Sequence, residues 1–155
     1  MIRLGSRGLA LLLLAGWTAL IWWLMIRARV PAGERQWWVH WGRNLAHAPL
    51  FGVHAALAAL ALRPGAVPGP STDRARRPEQ RAYLAAAAVA LAYGLLVEWR
   101  QAQVPGRVAS AWDVLTDAVG ALGVPWALST GALFSRRALA VFAAAAAMAA
   151  GATWM

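Results

Sequence analysis

The sequence predicts an all-α fold, a polytopic transmembrane helical bundle of four to five spans, and three observations predict it. Apolar residues make up 61% of the 155 residues and charged residues 14%, with a mean hydropathy of +0.51, which lies outside the composition of a soluble domain. The apolar residues are gathered into blocks, and a helix of about 20 such residues crosses a hydrocarbon core of roughly 30 Å. The charge falls mainly between the blocks, and every one of the 15 basic residues is arginine.

Composition also excludes. The formal charge of +9 suggests nucleic acid, but the arginines are scattered through inter-helix segments and form no basic helix or aromatic-interleaved face. Positive-inside sorting and lipid headgroup contact account for them better, so no nucleic-acid partner is expected. With no cysteine there is no disulfide framework, thiol nucleophile or thiolate metal site. The absence of lysine, with alanine runs at 85–88 and 143–147, points to a GC-rich genome rather than to a chemical demand.

The first span is 8–26. Arg3 and Arg7 before it resemble the n-region of a signal peptide, but the apolar run is long and 27–33 offers no small-residue cleavage site, so an uncleaved anchor is expected. The second, 45–62, carries His47 and His54. Pro49 fits such a helix in its first turn, where the missing N–H is not needed, and this places the helix start near His47. The third span is 83–99, the fourth is 112–134 with Pro125 as a kink, and 138–154 is a fifth candidate. Residues 63–81, with four prolines and five arginines, read as a flexible aqueous loop. No internal repeat is visible, and 1–155 reads as a single membrane domain.

An inner-membrane, multi-pass protein with its N-terminus in the cytoplasm puts nine arginines inside (Arg3, Arg7, Arg63, Arg74, Arg76, Arg77, Arg81, Arg136 and Arg137) against six outside, the arrangement positive-inside sorting prefers. Eight of the ten tryptophans then fall at the outer face, where indole rings anchor a helix end at headgroup depth.

The polar chemistry is concentrated where the start of span two, the end of span three and the start of span four must meet on one side of the membrane. Glu98 and Gln101 are spaced i, i+3. Asp113, Asp117 and Gly120 follow i, i+4, i+7, and His47, Phe51 and His54 do the same on span two, so each set forms one stripe. Val104-Pro105-Gly106-Arg107 has the composition of a turn that folds Arg107 back toward Glu98 and Asp113. Asp113 is also placed to cap the fourth helix. A charged Asp117 near a helix centre costs about 2.5–3.5 kcal/mol and needs a partner among Arg107, His47 and His54. Glycines 94, 120 and 123 allow close backbone approach. Single members of the set also fit a structural polar clasp, but two histidines, three carboxylates, a glutamine and an arginine on one side exceed what a clasp requires. The binding residues expected are therefore His47, Glu98, Gln101, Arg107, Ser110, Asp113 and Asp117.

At these residues the chain resembles the VanZ-like family of small bacterial membrane proteins. The resemblance rests on His47 early in one helix, Glu98-x-x-Gln101, the turn Pro105-Gly106-Arg107, Ser110, Asp113 entering the next helix, and the pair Gly120 and Gly123, and it covers about 44–128. Two positions depart from the family pattern. Asn44 stands where lysine is common and Asp117 where asparagine is common, so this site has one positive charge fewer and one negative charge more. The resemblance implies a cell-envelope role, its namesake being associated with low-level resistance to teicoplanin-type glycopeptide antibiotics.

Two functional readings follow. In the first, the protein is not an enzyme: its polar cavity at one membrane face binds a lipid or a lipid-linked envelope molecule, the partners being membrane lipids, a lipid-linked envelope precursor or a lipoglycopeptide. Arg107 would take phosphate or carboxylate, Gln101 and Ser110 would make neutral hydrogen bonds, and Trp99 and Trp112 would lie at headgroup depth; no cofactor or metal is called for. In the alternative, the chain is an intramembrane hydrolase or transferase acting on a lipid-linked substrate, with catalytic candidates Glu98 and His47 as general base and Asp113, Asp117 and a histidine holding a divalent metal. No lipid-phosphatase, Gly-x-Ser-x-Gly or His-Glu-x-x-His pattern accompanies it, so the first reading is preferred.

Overall fold

The computed structural model describes residues 5–27, 37–63, 73–104 and 110–129, together with the helical positions Ala140, Ala143 and Ala147. The described residues form four helices, α1 (Ser6–Arg27), α2 (Trp37–Leu62), α3 (Asp73–Gln101) and α4 (Ala111–Ser129), and no strand. Three are long and apolar enough to cross a membrane: Ser6–Ile26, Trp41–Leu62 and Glu79–Gln101, with mean hydropathies of 2.2, 1.7 and 1.6. The chain is thus an all-α membrane protein with three candidate spans. The fourth expected span corresponds to α4, which places Asp113 and Asp117 in its first two turns and is not among the three. Most of the fifth, 138–154, lies outside the described residues.

Two boundaries differ from expectation. α2 begins at Trp37, so Pro49 sits inside the helix rather than in its first turn. A mid-helix proline removes one backbone bond, yet spanning helices tolerate this where neighbouring groups and local adjustment satisfy the freed carbonyl. The helix runs through, from Trp37 to Leu62. α3 begins at Asp73, ten residues before the expected span. Ser71-Thr72-Asp73 is a favourable start signal, and arginine, alanine, glutamate and glutamine after it are strong helix formers; the second half of the expected loop is therefore helix.

α2 is the hub. It packs most extensively on α4 and also on α3 and α1, whereas α1 meets α2 and α3 but not α4. The interfaces are built from small residues: Ala55, Ala90 and Ala121 form one buried cluster and Ala58, Ala59, Tyr83 and Ala86 another. In a bilayer, helix association depends on close packing rather than on transfer from water, which is why small residues mark these seams.

The tightest seam joins α2 to α4. A Cβ added to Gly120 would collide with the Ala48 carbonyl and lie 2.9 Å from the Ala48 Cα, and one added to Gly52 would lie 2.6 Å from Val124 Cγ2. Only glycine permits this approach. It brings the two backbones together one turn from His47 and Asp117, so that two short side chains can span the gap.

Candidate functional site: a buried histidine and carboxylate cluster

The expected stripes are real faces. His47, Phe51 and His54 are all buried along α2, and Asp113, Asp117 and Gly120 along α4. The His47 and Phe51 rings stack with centroids 6.3 Å apart, which fixes the imidazole plane. Its Nδ1 lies 2.8 Å from Asp117 Oδ1. Asp117, 1% exposed, therefore has as its partner one of the three residues expected, His47. Its other oxygen faces the backbone of α3, where a Cβ on Gly94 would lie 2.8 Å from Oδ2; Gly94 makes room for the carboxylate.

Glu98 lies in the last turn of α3, beside the start of α4. The Ser110 backbone N–H donates to Glu98 Oε2 at 3.0 Å, while the Ser110 carbonyl accepts from the N–H groups of Asp113 and Val114. Ser110 is thus the cap residue, and Asp113 sits three positions into the helix instead of capping it. Glu98 supplies from a neighbouring helix the carboxylate that a capping box places within the helix, at the positive end of the α4 dipole.

His47 Nε2 faces Asp113 Oδ2 at 4.0 Å, too long for a direct hydrogen bond. His47, Glu98 and Asp113 each present a donor atom within 4.8 Å of the others. Glu98 Oε1 is buried and has no hydrogen-bond partner among the described residues. Around this cluster opens a cavity of about 200 Å³ lined by Leu24, Met25, Arg43, Asn44, Ala46, His47, Leu50, Gln101 and Asp113.

Gln101 has a double role: it lines the cavity, and its Nε2 donates to the Met25 carbonyl at 3.1 Å, tying α3 to α1. Arg107 lies outside the described residues, as does the expected turn at 105–107. His54 does not join the cluster; it pairs with Thr18 Oγ1 at 3.0 Å and stacks on Tyr93 at 5.1 Å, as a packed interface histidine.

Sequence reasoning missed the contribution of α1. Trp17 Nε1 donates to the Leu50 carbonyl at 2.9 Å and Tyr93 Oη to the Thr18 carbonyl at 2.7 Å, and Leu24 and Met25 close one cavity wall. The usable signal was Trp17 and Thr18, two polar-tipped side chains side by side within a span. Arg43 as a cavity residue was also missed, because the expected helix began after it.

Chemically, a carboxylate oxygen only accepts, so with Asp117 ionised Nδ1 of His47 carries a proton, and in the neutral imidazole Nε2 then presents its lone pair. An imidazole held this way serves as a base or as a metal ligand. No model of a protein family, no curated protein and no solved structure matches the chain.

Proposed function

We propose that the chain is a VanZ-like integral membrane protein whose cavity at one membrane face takes the polar head of a lipid or of a lipid-linked cell-envelope molecule. The observation that carries this reading is the cavity itself. It opens at the shared end of all four helices, is lined by a cation (Arg43), amides (Asn44, Gln101) and the buried His47 and Asp113, and has Trp99, 61% exposed, on the adjoining end of α3. Its volume of about 200 Å³ is below the roughly 300–1,000 Å³ of pockets that enclose a drug-sized ligand. A headgroup fits; a whole glycopeptide does not, so an effect on glycopeptide susceptibility would run through an envelope lipid. In this reading four helices span, α4 being carried by its partners, and the cavity faces the outside of a bacterial inner membrane.

The test is lipid analysis of the purified protein. Native protein is expected to retain a defined lipid class that Arg43→Ala and Arg107→Ala each lose while eluting as folded protein. Bound lipid unchanged in both variants would overturn the reading.

A further inference from the structure

We infer that His47, Glu98 and Asp113 hold a divalent first-row metal cation such as Zn²⁺, with Asp117 orienting the histidine from behind. The donor set differs from the one the sequence suggests: Asp117 is committed to His47 Nδ1 at 2.8 Å, and Glu98 takes its place. Three observations converge on it.

First, the three donor atoms lie within 4.8 Å of one another and all three residues are buried. Two ligands at about 2.1 Å from one ion are at most about 4.2 Å apart, so small side-chain rotations complete the geometry. Second, Glu98 is 4% exposed, and its Oε1 is without a hydrogen bond among the described residues, while Oε2 is fixed by the Ser110 N–H. A buried carboxylate held by one oxygen leaves the other available as a ligand atom, within the group whose donor atoms lie inside 4.8 Å of one another.

Third, the pairing of Asp117 with His47 is the carboxylate–histidine arrangement that fixes the tautomer of a metal-binding imidazole and raises its basicity. Nε2, on the far side of the ring from Asp117, is then the ligand atom. One imidazole with two carboxylates suits zinc or manganese rather than calcium, which takes six to eight oxygens. The remaining coordination positions open toward the cavity, where a phosphate or hydroxyl oxygen can bind.

This proposal does not depend on the headgroup reading, because cation binding is measured with lipid replaced by detergent. Protein purified without a polyhistidine tag and stripped with a chelator is titrated with Zn²⁺ by calorimetry, and Mn²⁺-loaded protein is examined by pulsed electron paramagnetic resonance. Stoichiometric binding is expected. Asp117→Asn should weaken it about 10- to 100-fold, and the isosteric Glu98→Gln and Asp113→Asn at least as much. The Mn²⁺ spectrum should show coupling to one imidazole nitrogen, kept in His54→Ala and lost in His47→Gln. Absence of Zn²⁺ binding to the native chain, affinity unchanged in both Glu98→Gln and Asp113→Asn, or a nitrogen signal that survives His47→Gln would each overturn the site, whether or not any variant folds poorly.

Discussion

Asp117 is 1% exposed and is reached by His47 at 2.8 Å. Removing one partner of a buried pair leaves the other uncompensated and costs about 3–5 kcal/mol, whereas replacing both by apolar residues is often neutral or stabilising. His47→Leu is therefore expected to destabilise the protein by about that amount, and His47→Leu combined with Asp117→Leu to recover most of the loss. Equilibrium unfolding in mixed detergent micelles measures both; a double variant as unstable as the sum of the singles would contradict the pairing. That His47 shares a face with Phe51 and His54, and Asp113 with Asp117, was legible from the helical period alone. Which histidine meets Asp117 was not, because it depends on the axial offset of α2 against α4, and that is set by the backbone approach of Gly120 to Ala48. The same offset sends His54 to Thr18 and Tyr93.

At the scale of the element, the α2–α4 seam decides whether the cluster exists. Gly120→Val places a branched side chain against the Ala48 backbone, which cannot yield as the tip of a flexible side chain can. The helices must separate, at a cost of about 1–3 kcal/mol typical of overpacking, and the short His47 to Asp117 bridge opens with them. The expected outcome is a lowered unfolding midpoint together with a histidine side-chain NMR signal that moves toward that of the Asp117→Leu protein. A Gly120→Val protein with unchanged midpoint and unchanged signal would show that the seam is looser than described. The helices themselves were legible from apolar block length, but their starts were not. The backbone cost of Pro49 argues for a helix start, yet helix continues on both sides of it. The polarity and prolines of the arginine-rich run before Tyr83 argue for a loop, yet after Asp73 it consists mostly of helix-forming residues.

Among the described residues the four helices enclose polar groups at one end, and the middle of the bundle presents a largely hydrocarbon surface. α1 exposes Leu9, Leu11, Leu12, Leu13, Leu20, Trp22 and Trp23, and 17% of its most apolar window is buried, so its outer surface suits acyl chains. The proposed orientation, with the cavity outside, predicts that Ala102→Cys, exposed just past α3 at the cavity end, reacts with a membrane-impermeant thiol reagent added outside cells. Gln80→Cys, exposed near the other end of the Glu79–Gln101 span, should react only after permeabilisation. The native chain, having no cysteine, supplies the blank, and the reverse pattern of labelling would invert the orientation. The convergence of helix ends was legible from connectivity; the part of α1 was legible only through Trp17 and Thr18, because its other inward polar groups are the backbone carbonyls of Thr18 and Met25, which leave no mark in a sequence.

The partnership of His47 with Asp117 joins residues 70 positions apart, and this has a consequence for biogenesis. At roughly 5–20 residues per second of synthesis, α2 emerges some seconds before the carboxylate that its imidazole is built to meet. During that interval the hub of the bundle carries an unsatisfied polar group, and α4, the helix with two aspartates in its first two turns, arrives last of the four to find its hydrogen-bond donor already waiting. The order in which the chain is made thus matches the order of need: the apolar helices assemble the socket first, and the helix least able to enter lipid on its own arrives when a partner is in place.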